Sequence, residues 1–148
     1  MRLNLGAGNR IENGWDNHDI AKHRSEINLV FDLDKFPYPI KDNTYDEIKA
    51  IDVLEHLNNP LQAMNEIHRI LKPNGILFAK CCGWKNPNFW VDITHKKAFD
   101  IQTMDYLVLD TAIEKEYSYY TDKKWRYVDE YPVYDRRKNV ILKMTPIK

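Results

Sequence analysis

Short apolar runs alternate with polar segments along the chain, and their spacing predicts strands and helices in turn. The run at Glu47–Val53 is short enough to fit a helix as well as a strand. A further strand is expected to end near Asp19, after the polar stretch that begins at Trp15. The runs that predict strands are Leu3–Leu5, Ile27–Phe31, Glu47–Val53 and Ile76–Cys82.

Two segments have apolar residues at helical spacing. Asn59 can cap the first, which opens on Pro60 and ends at the turn Lys72–Gly75. Asp100 can cap the second, which runs to Val108. The residues that define the two apolar faces are Leu61, Met64, Ile67 and Leu71, and then Ile101, Met104, Leu107 and Val108.

The last third of the chain differs, since Ala112–Tyr120 and Val140–Thr145 predict two strands joined by a polar, aromatic segment. Alternating strands and helices followed by a strand pair predict an α/β fold. We expect a Rossmann-like, doubly wound sheet, mostly parallel with an antiparallel terminal strand. The length of 148 residues fits a single domain, 1–148.

The composition narrows the class of protein. Apolar residues make up 43% and charged residues 30%, as in ordinary globular chains, and 22 basic residues balance 22 acidic ones. Such a chain lacks the general positive field that attracts nucleic acid or anionic membranes. It has neither a signal-type segment nor an apolar run of about 20 residues, so we expect a cytoplasmic location. The adjacent Cys81 and Cys82 exclude a disulfide framework and fit small buried side chains.

Candidate chemistry follows the predicted strands. Gly6 and Gly8 allow a sharp turn after the first strand, while Ile11 stands where a dinucleotide fingerprint has a third glycine. That departure counts against nicotinamide and flavin cofactors. Asp19 and Asp32 follow the next two strands, at the edge where ligands of such sheets bind. Taken one at a time, these residues also fit an ordinary glycine turn and solvated acids.

Taken together, five segments resemble the class I S-adenosylmethionine-dependent methyltransferases, in particular their short type-11-like branch. The resemblance extends from about residue 3 to about residue 108. It implies S-adenosylmethionine as the cofactor and in-line methyl transfer to an oxygen or nitrogen nucleophile. The segments are Leu3–Gly8, Gly14–Asp19, Asp32–Asp46, Val53–Leu57 and Arg69–Gly75.

The same resemblance implies a cofactor site. Gly6 and Gly8 would lie under the methionine part, and Asp19 would accept hydrogen bonds from the ribose hydroxyls. Asp32 would accept from the adenine amine, while the Leu33 backbone would read the ring and Ile20 would pack on its face. The complete set is Gly6, Ala7, Gly8, Asp19, Ile20, Asp32, Leu33 and Asp52.

Two departures from the family pattern affect the expected fold. Only ten residues separate Gly8 from Asp19, so the first helix is expected to have a turn or two at most. The chain begins at the first strand, so we expect it to lack the amino-terminal cover helices of the family. The active site would then be open, or covered by a second copy of the chain in a homo-oligomer.

His56 and His95 are the candidate catalytic residues. An imidazole can act as a base near neutral pH, and His56 follows the strand whose end lies at the methyl-transfer edge. The segment Asp92–His95 resembles an Asp-Pro-Thr-His segment of some of these methyltransferases. A hydrogen-bonded structural role for His56 and a simple turn at Asp92–His95 remain the alternatives.

No metal is expected. Asp52, Glu55 and His56 are similar to a Glu-x-x-Glu-His motif that holds magnesium in small-RNA and quinone-precursor methyltransferases, and His95 could add a ligand. The first acid is Asp here, however, and hard cations prefer several oxygen ligands.

The aromatic segment Tyr117–Tyr134 interleaves tyrosines with Lys123, Lys124 and Arg126, as surfaces that stack on bases or sugars do. Nearby acids dilute that charge, so a small metabolite or a sugar is favoured over nucleic acid as the acceptor. No membrane partner is expected. The alternative function is a non-catalytic binding or assembly module on the same fold, with this segment as its interface.

Overall fold

Eight strands form one sheet in the computed structural model, which describes residues 1–148. The strands are β1 (Arg2–Leu5), β2 (Asp16–Asp19), β3 (Leu29–Val30), β4 (Tyr45–Ile51), β5 (Leu71–Cys81), β6 (Lys124–Tyr127), β7 (Val133–Tyr134) and β8 (Val140–Ile147).

The strand order is β3-β2-β1-β4-β5-β8-β6, with β7 pairing along β8. Strands β1 to β5 are parallel, and the chain winds outward from β1 in one direction and then from β4 in the other. This order confirms the doubly wound, mostly parallel sheet. The antiparallel part is larger than predicted, because β6 and β7 pair with β8 in addition to the β5–β8 pair.

Helix α1 is the one long helix. Asn59 caps it by accepting a hydrogen bond from Gln62 N. Pro60 occupies its first position and has no backbone N–H that would need an acceptor. Strand β5 begins directly after Ile70, earlier than predicted. None of the helices has the length and apolar character needed to cross a membrane, and the cytoplasmic location stays a prediction. The helices are α1 (Pro60–Ile70), α2 (Asn88–Val91) and α3 (Ala112–Glu116), with 3₁₀ turns at Leu54–His56, Thr103–Tyr106 and Ser118–Tyr120.

The hydrophobic core lies on one side of the sheet. Alternate residues of the central strands are fully buried there, as at Leu3, Ile48 and Leu77. The apolar face of α1, including Met64 and Ile67, belongs to the same cluster. Full burial of such a side chain stabilises the fold by about 1.5–3 kcal/mol, so this layer holds most of the sheet together.

The residues that alternate with the buried ones along the central strands point to the opposite side of the sheet, and this side carries charged side chains. Lys49, Lys80 and Lys143 are half-buried on β4, β5 and β8. They form ion pairs with Glu12, Asp52 and Asp129 respectively. Parallel sheets covered by helices on both faces are usually apolar on both, and this one is not.

The connection between β1 and β2, residues 6–15, contains turns and no helix. Buried amide side chains take over the hydrogen bonds that a helix would make internally. Asn4 Nδ2 donates to Arg10 O (2.7 Å) and to Asn17 Oδ1 (2.9 Å), and Asn17 Nδ2 donates to Glu12 O (3.0 Å). The short helix expected here is therefore replaced by a loop that these two amides hold in place.

Two predicted elements are wrong. Ala112–Tyr120 is α3 followed by a 3₁₀ turn rather than a strand, because the Thr111 hydroxyl caps a helix by accepting from Glu114 N. The predicted helix after Asp100 is reduced to the 3₁₀ turn Thr103–Tyr106. Asp100 still binds the Gln102 N–H, while its carboxylate also accepts from Trp84 and Tyr134.

Candidate active site

The carboxyl ends of β1 to β4 meet at one edge of the sheet and enclose a cavity of about 370 Å³, here called the strand-end cavity. Parallel strands on either side of a reversal in strand order leave such a crevice. Ala7 and Gly8 do not line this cavity, although both belong to the predicted site. The predicted residues that do line it are Gly6, Asp19, Ile20, Asp32, Leu33 and Asp52.

The glycine turn after β1 holds the Asp19 carboxylate in place through a backbone hydrogen bond. Gly6 and Gly8 have φ of 59° and 52°, and a Cβ on Gly6 would lie 2.6 Å from Val53 Cγ2. Gly8 N donates to Asp19 Oδ2 (2.8 Å), and Ile20 N donates to Asp19 Oδ1 (2.7 Å). A carboxylate has about four acceptor positions, so two remain for a ligand.

His18 fixes the same turn and was not predicted. Gly6 N donates to His18 Nδ1 (3.2 Å), so the ring proton is on Nε2 and is donated to Phe31 O (2.9 Å). Burial lowers the pKa of His18 below its ordinary value. The neutral ring therefore ties the glycine turn to the end of β3.

The stability of the protein should fall as the pH drops below about 6.5, because the unfolded chain then binds a proton that folded His18 does not. Above that pH both states are neutral and no effect remains. Burial also lowers the pKa of His68, which adds a contribution of the same sign. Urea unfolding across a pH series gives the free energy of unfolding at each pH. Below pH 6.5 this free energy should change less steeply with pH in His18→Asn than in the unaltered protein. The same pH dependence of the unfolding free energy in both proteins would mean that His18 is not held in its neutral form.

Two neighbouring acids after β3 have different roles. Asp34 accepts hydrogen bonds from Asn58 N, Asn58 Nδ2 and Asn59 N and so holds the start of α1. Asp32 accepts only from Asp34 N, through Oδ1 (2.9 Å), and its Oδ2 has no partner. Of these two acids, Asp32 is therefore the one whose carboxylate is free to bind a ligand.

A second cavity of about 510 Å³, the polar cavity, adjoins the first, and Asp52 and His56 line both. Eleven of its 13 lining residues are polar or charged. Asp52 has φ of 56° at the end of β4, and its carboxylate pairs with Arg10 (2.8 Å) and Lys80 (3.0 Å). The side chain of Arg137, which also lines this cavity, forms no ion pair, so its charge is available to a ligand.

His56 and His95 lie together on the wall of the polar cavity, with ring centroids 4.7 Å apart. Glu55 lies beside them, and one donor atom from each of the three residues falls within 4.8 Å of the others. The Glu55 carboxylate is fully buried and accepts from Cys82 N (2.7 Å), and burial raises its pKa. This group is the one place in the structure where three metal-ligating side chains converge, although no metal was expected.

The cysteines behave as small apolar side chains. Both are free and buried, and burial raises the pKa of the Cys82 thiol to about 11. A nucleophilic thiolate is therefore not present at neutral pH.

The aromatic segment lies outside both cavities. Tyr119 and Tyr120 pack edge-on at a centroid distance of 5.1 Å, and Tyr120 stacks on Tyr106, which precedes the segment (5.7 Å). Trp125 is fully buried, and Lys124 pairs with Glu114 (2.7 Å). Of the basic residues near this segment, Arg137 is the one that reaches a cavity.

Residues 15–79 match the sequence model of a family described as "Methyltransferase domain". This region contains β2 to β4, α1 and most of β5, which form much of the strand-end cavity. The chain has the fold of the class I S-adenosylmethionine-dependent methyltransferases. The match covers 65 of the 148 residues, which is less than half of the chain.

Solved structures agree with the methyltransferase fold. An S-adenosylmethionine-dependent methyltransferase of Archaeoglobus fulgidus superposes with a TM-score of 0.65 at 14% identity, over 97% of this chain and 85% of that one. The methyltransferase in the complex with the Haloferax volcanii Trm112 methyltransferase activator gives 0.65 at 13% identity, over 97% and 81%. At these identities the likeness concerns the fold alone.

One curated relative matches a shorter stretch. Uncharacterized protein MJ0638 of Methanocaldococcus jannaschii is 59% identical over 39 residues. That stretch is 26% of this chain and 17% of MJ0638. The match therefore spans less than a fifth of that relative's length.

Proposed function

We propose that the protein transfers the methyl group of S-adenosylmethionine to an oxygen or nitrogen nucleophile of a small polar acceptor, a metabolite or a sugar. The observation that carries this proposal is the junction of the two cavities at Asp52 and His56. A cofactor in the strand-end cavity would direct its sulfonium methyl toward an acceptor in the polar cavity. Methyl transfer chiefly requires that the two reacting atoms are aligned.

In this proposal, the strand-end cavity binds the adenosine part of the cofactor. The two open acceptor positions of Asp19 receive the ribose hydroxyls, and the unpartnered Oδ2 of Asp32 receives the adenine amine. The exposed side chain of Ile20 packs on one face of the ring. Gly8 acts indirectly, since its N–H holds the Asp19 carboxylate in place, and Ala7 N donates to His18 O (2.8 Å) and so fixes the same turn.

His56 and His95 are the proposed proton acceptors for a nucleophile that must lose a proton. His56 lines both cavities, which puts its ring beside the path of the methyl group. The Thr94 hydroxyl contacts His56 Nδ1 (3.0 Å) and donates to Asp92 (2.6 Å). These contacts fix the orientation of the His56 ring through its Nδ1 atom.

The lining of the polar cavity supports a hydrophilic acceptor. Asn86 Nδ2 donates to Asn139 Oδ1 (2.7 Å), Asn86 Oδ1 accepts from Asn88 N and Asn139 Nδ2 donates to Asp135, so each amide keeps one N–H and one acceptor position for a ligand. The free guanidinium of Arg137 suits an acceptor with a carboxylate or phosphate group. The cavity lacks the flat apolar walls on which nucleobases would stack, because only two of its 13 lining residues are hydrophobic.

Incubation with methyl-labelled S-adenosylmethionine should transfer the label to a component of a polar metabolite fraction, with one S-adenosylhomocysteine formed per methyl group. A nucleic-acid fraction and a protein fraction of the same cells serve as parallel acceptors. Label in either of these instead would contradict the small-molecule acceptor. Cofactor binding by calorimetry without turnover in any fraction would favour the non-catalytic module.

A further inference from the structure

A third cavity of about 260 Å³, the apolar cavity, is lined by the first turns of α1 and by the 3₁₀ turn Thr103–Tyr106. It shares no lining residue with the strand-end cavity or the polar cavity. Eight of its 11 lining residues are hydrophobic. Met64, Phe99 and Met104 are buried in its wall, whereas Tyr120 is 46% exposed. The cavity is therefore apolar inside and accessible from solvent.

The polar side chains that line the apolar cavity can all donate hydrogen bonds. Lys97 is exposed, and its ammonium group forms no ion pair. The hydroxyls of Tyr106 and Tyr120 donate to no group of the protein, and the Thr103 hydroxyl accepts from Asp100 N but keeps its own proton free. No Asp or Glu lines the cavity, although the chain has as many acidic as basic residues. The lining therefore favours a negatively charged ligand.

A single ammonium group suits a ligand with a single negative charge. A phosphate monoester carries a charge of about −1.5 to −2 at neutral pH, and the planar fork of an arginine is the group that matches it best. A carboxylate carries one charge, and its two oxygens can accept from the ammonium group of Lys97 and from a neighbouring hydroxyl. The one cation of the lining therefore favours a carboxylate over a phosphate.

The walls of the apolar cavity suit an aromatic ring. Tyr106 and Tyr120 are parallel to within 4°, and Phe99 adds a third ring to the lining. The thioethers of Met64 and Met104 can make favourable contacts with the edge of a bound ring. An apolar cavity of about 150 Å³ holds one benzene molecule. The 260 Å³ of this cavity therefore accommodates one ring with a short side chain.

We propose that the apolar cavity binds a small aromatic carboxylate, whose carboxylate pairs with Lys97 and whose ring lies against Met64 and Met104. The proposal does not depend on methyl transfer, because no residue of the strand-end or polar cavity takes part in it. The ligand would still lie close to the cofactor. Lys96 lines the strand-end cavity, and the N–H groups of Lys96 and Lys97 both donate to Glu55 O (2.8 and 3.1 Å).

The four methionines of the chain can report on the site when their methyl groups are labelled for NMR. Hydrocinnamate, a benzene ring with a propanoate side chain, should shift the methyl signals of Met64 and Met104 in a saturable way. Met144 is fully buried and Met1 is exposed, and neither lines the cavity, so their signals should stay unchanged. If the signals of Met64 and Met104 did not move, the site would be refuted.

Lys97→Met removes the charge from an exposed position and keeps an apolar chain of similar length. It should weaken hydrocinnamate about tenfold, which corresponds to about 1.4 kcal/mol. The uncharged hydrocinnamyl alcohol should bind equally to both proteins. Lys96→Met is the matched control, because Lys96 is exposed beside Lys97 but does not line the apolar cavity, and it should leave hydrocinnamate binding unchanged. No weakening in Lys97→Met, or the same weakening in Lys96→Met, would overturn the position of the carboxylate.

Cyclohexanepropionate has the same charge as hydrocinnamate and nearly the same size, but no aromatic ring. It should bind about threefold more weakly, and tighter or equal binding would overturn the aromatic ligand. Ala98→Leu puts a larger side chain at an exposed position of the lining and should weaken both acids. Unchanged binding in that variant would mean that the ligand lies elsewhere. Asp19→Ala should bind hydrocinnamate as the unaltered protein does, which keeps this test separate from that of the cofactor site.

Discussion

Asp19→Ala is expected to weaken the binding of S-adenosylmethionine by about 10- to 150-fold. A hydrogen bond to a charged group contributes about 1.5–3 kcal/mol, and 1.4 kcal/mol is a factor of ten in Kd. The structure leaves two acceptor positions on this carboxylate open toward the strand-end cavity, while Gly8 N and Ile20 N occupy the others. Calorimetry with S-adenosylmethionine and with S-adenosylhomocysteine measures the loss.

Asp32→Asn is the matched control for that measurement, because it alters the adenine position and leaves the ribose position intact. S-adenosylhomocysteine and its inosine analogue differ at the group that Asp32 would bind. Asp19→Ala should weaken both ligands equally, whereas Asp32→Asn should reduce the preference for the adenosine form. Unchanged cofactor affinity in Asp19→Ala would refute the assignment of the ribose site.

Arg69→Met is expected to lower the free energy of unfolding by about 3 kcal/mol, the low end of the range for a broken buried ion pair. The Arg69 guanidinium donates to both oxygens of Glu66 (3.0 and 2.7 Å) and to the backbone oxygens of Tyr38 and Ile40. Glu66 is 6% exposed, so the variant leaves a buried carboxylate with only Tyr38 N as a donor. Urea denaturation at neutral pH provides the measurement.

A second substitution separates the buried charge from lost packing. Arg69→Met combined with Glu66→Gln removes both charges and should recover part of the loss. Arg2→Met breaks an exposed pair with Glu47 (3.6 Å) and should change stability by no more than about 1 kcal/mol. If Arg2→Met and Arg69→Met lowered the free energy of unfolding equally, burial of the Glu66–Arg69 pair would not be the reason for its contribution to stability.

The strand ends and their acids could be predicted from sequence, because the residues that follow parallel strands share one edge of the sheet. Asp19, Asp32 and Gly6 line one cavity for that reason. Local patterns also located α1, whose cap and apolar face are both in the sequence. The part that each of these residues takes in cofactor binding stays a proposal.

Local patterns in the sequence do not show which distant segments come into contact. Glu55 and His95 are 40 positions apart, and they meet because Lys96 N and Lys97 N donate to Glu55 O. The function of His18 depends on which ring nitrogen faces Gly6, and no spacing in the sequence shows that. At Ala112–Tyr120 the tyrosines favoured a strand, although the capping Thr111 before Glu114 was a readable sign of a helix.

The charged side of the sheet has a consequence for how the protein unfolds. Lys49, Lys80 and Lys143 are half-buried and keep part of their hydration in the folded chain, so that side contributes less to cooperativity than the apolar layer does. The apolar partners of β1, β4 and β5 all lie in the layer that includes α1. When α1 detaches, the central strands have no second apolar layer to keep them ordered. Sheet and helix therefore form a single unfolding unit, in contrast to a three-layered protein whose outer helices can open separately.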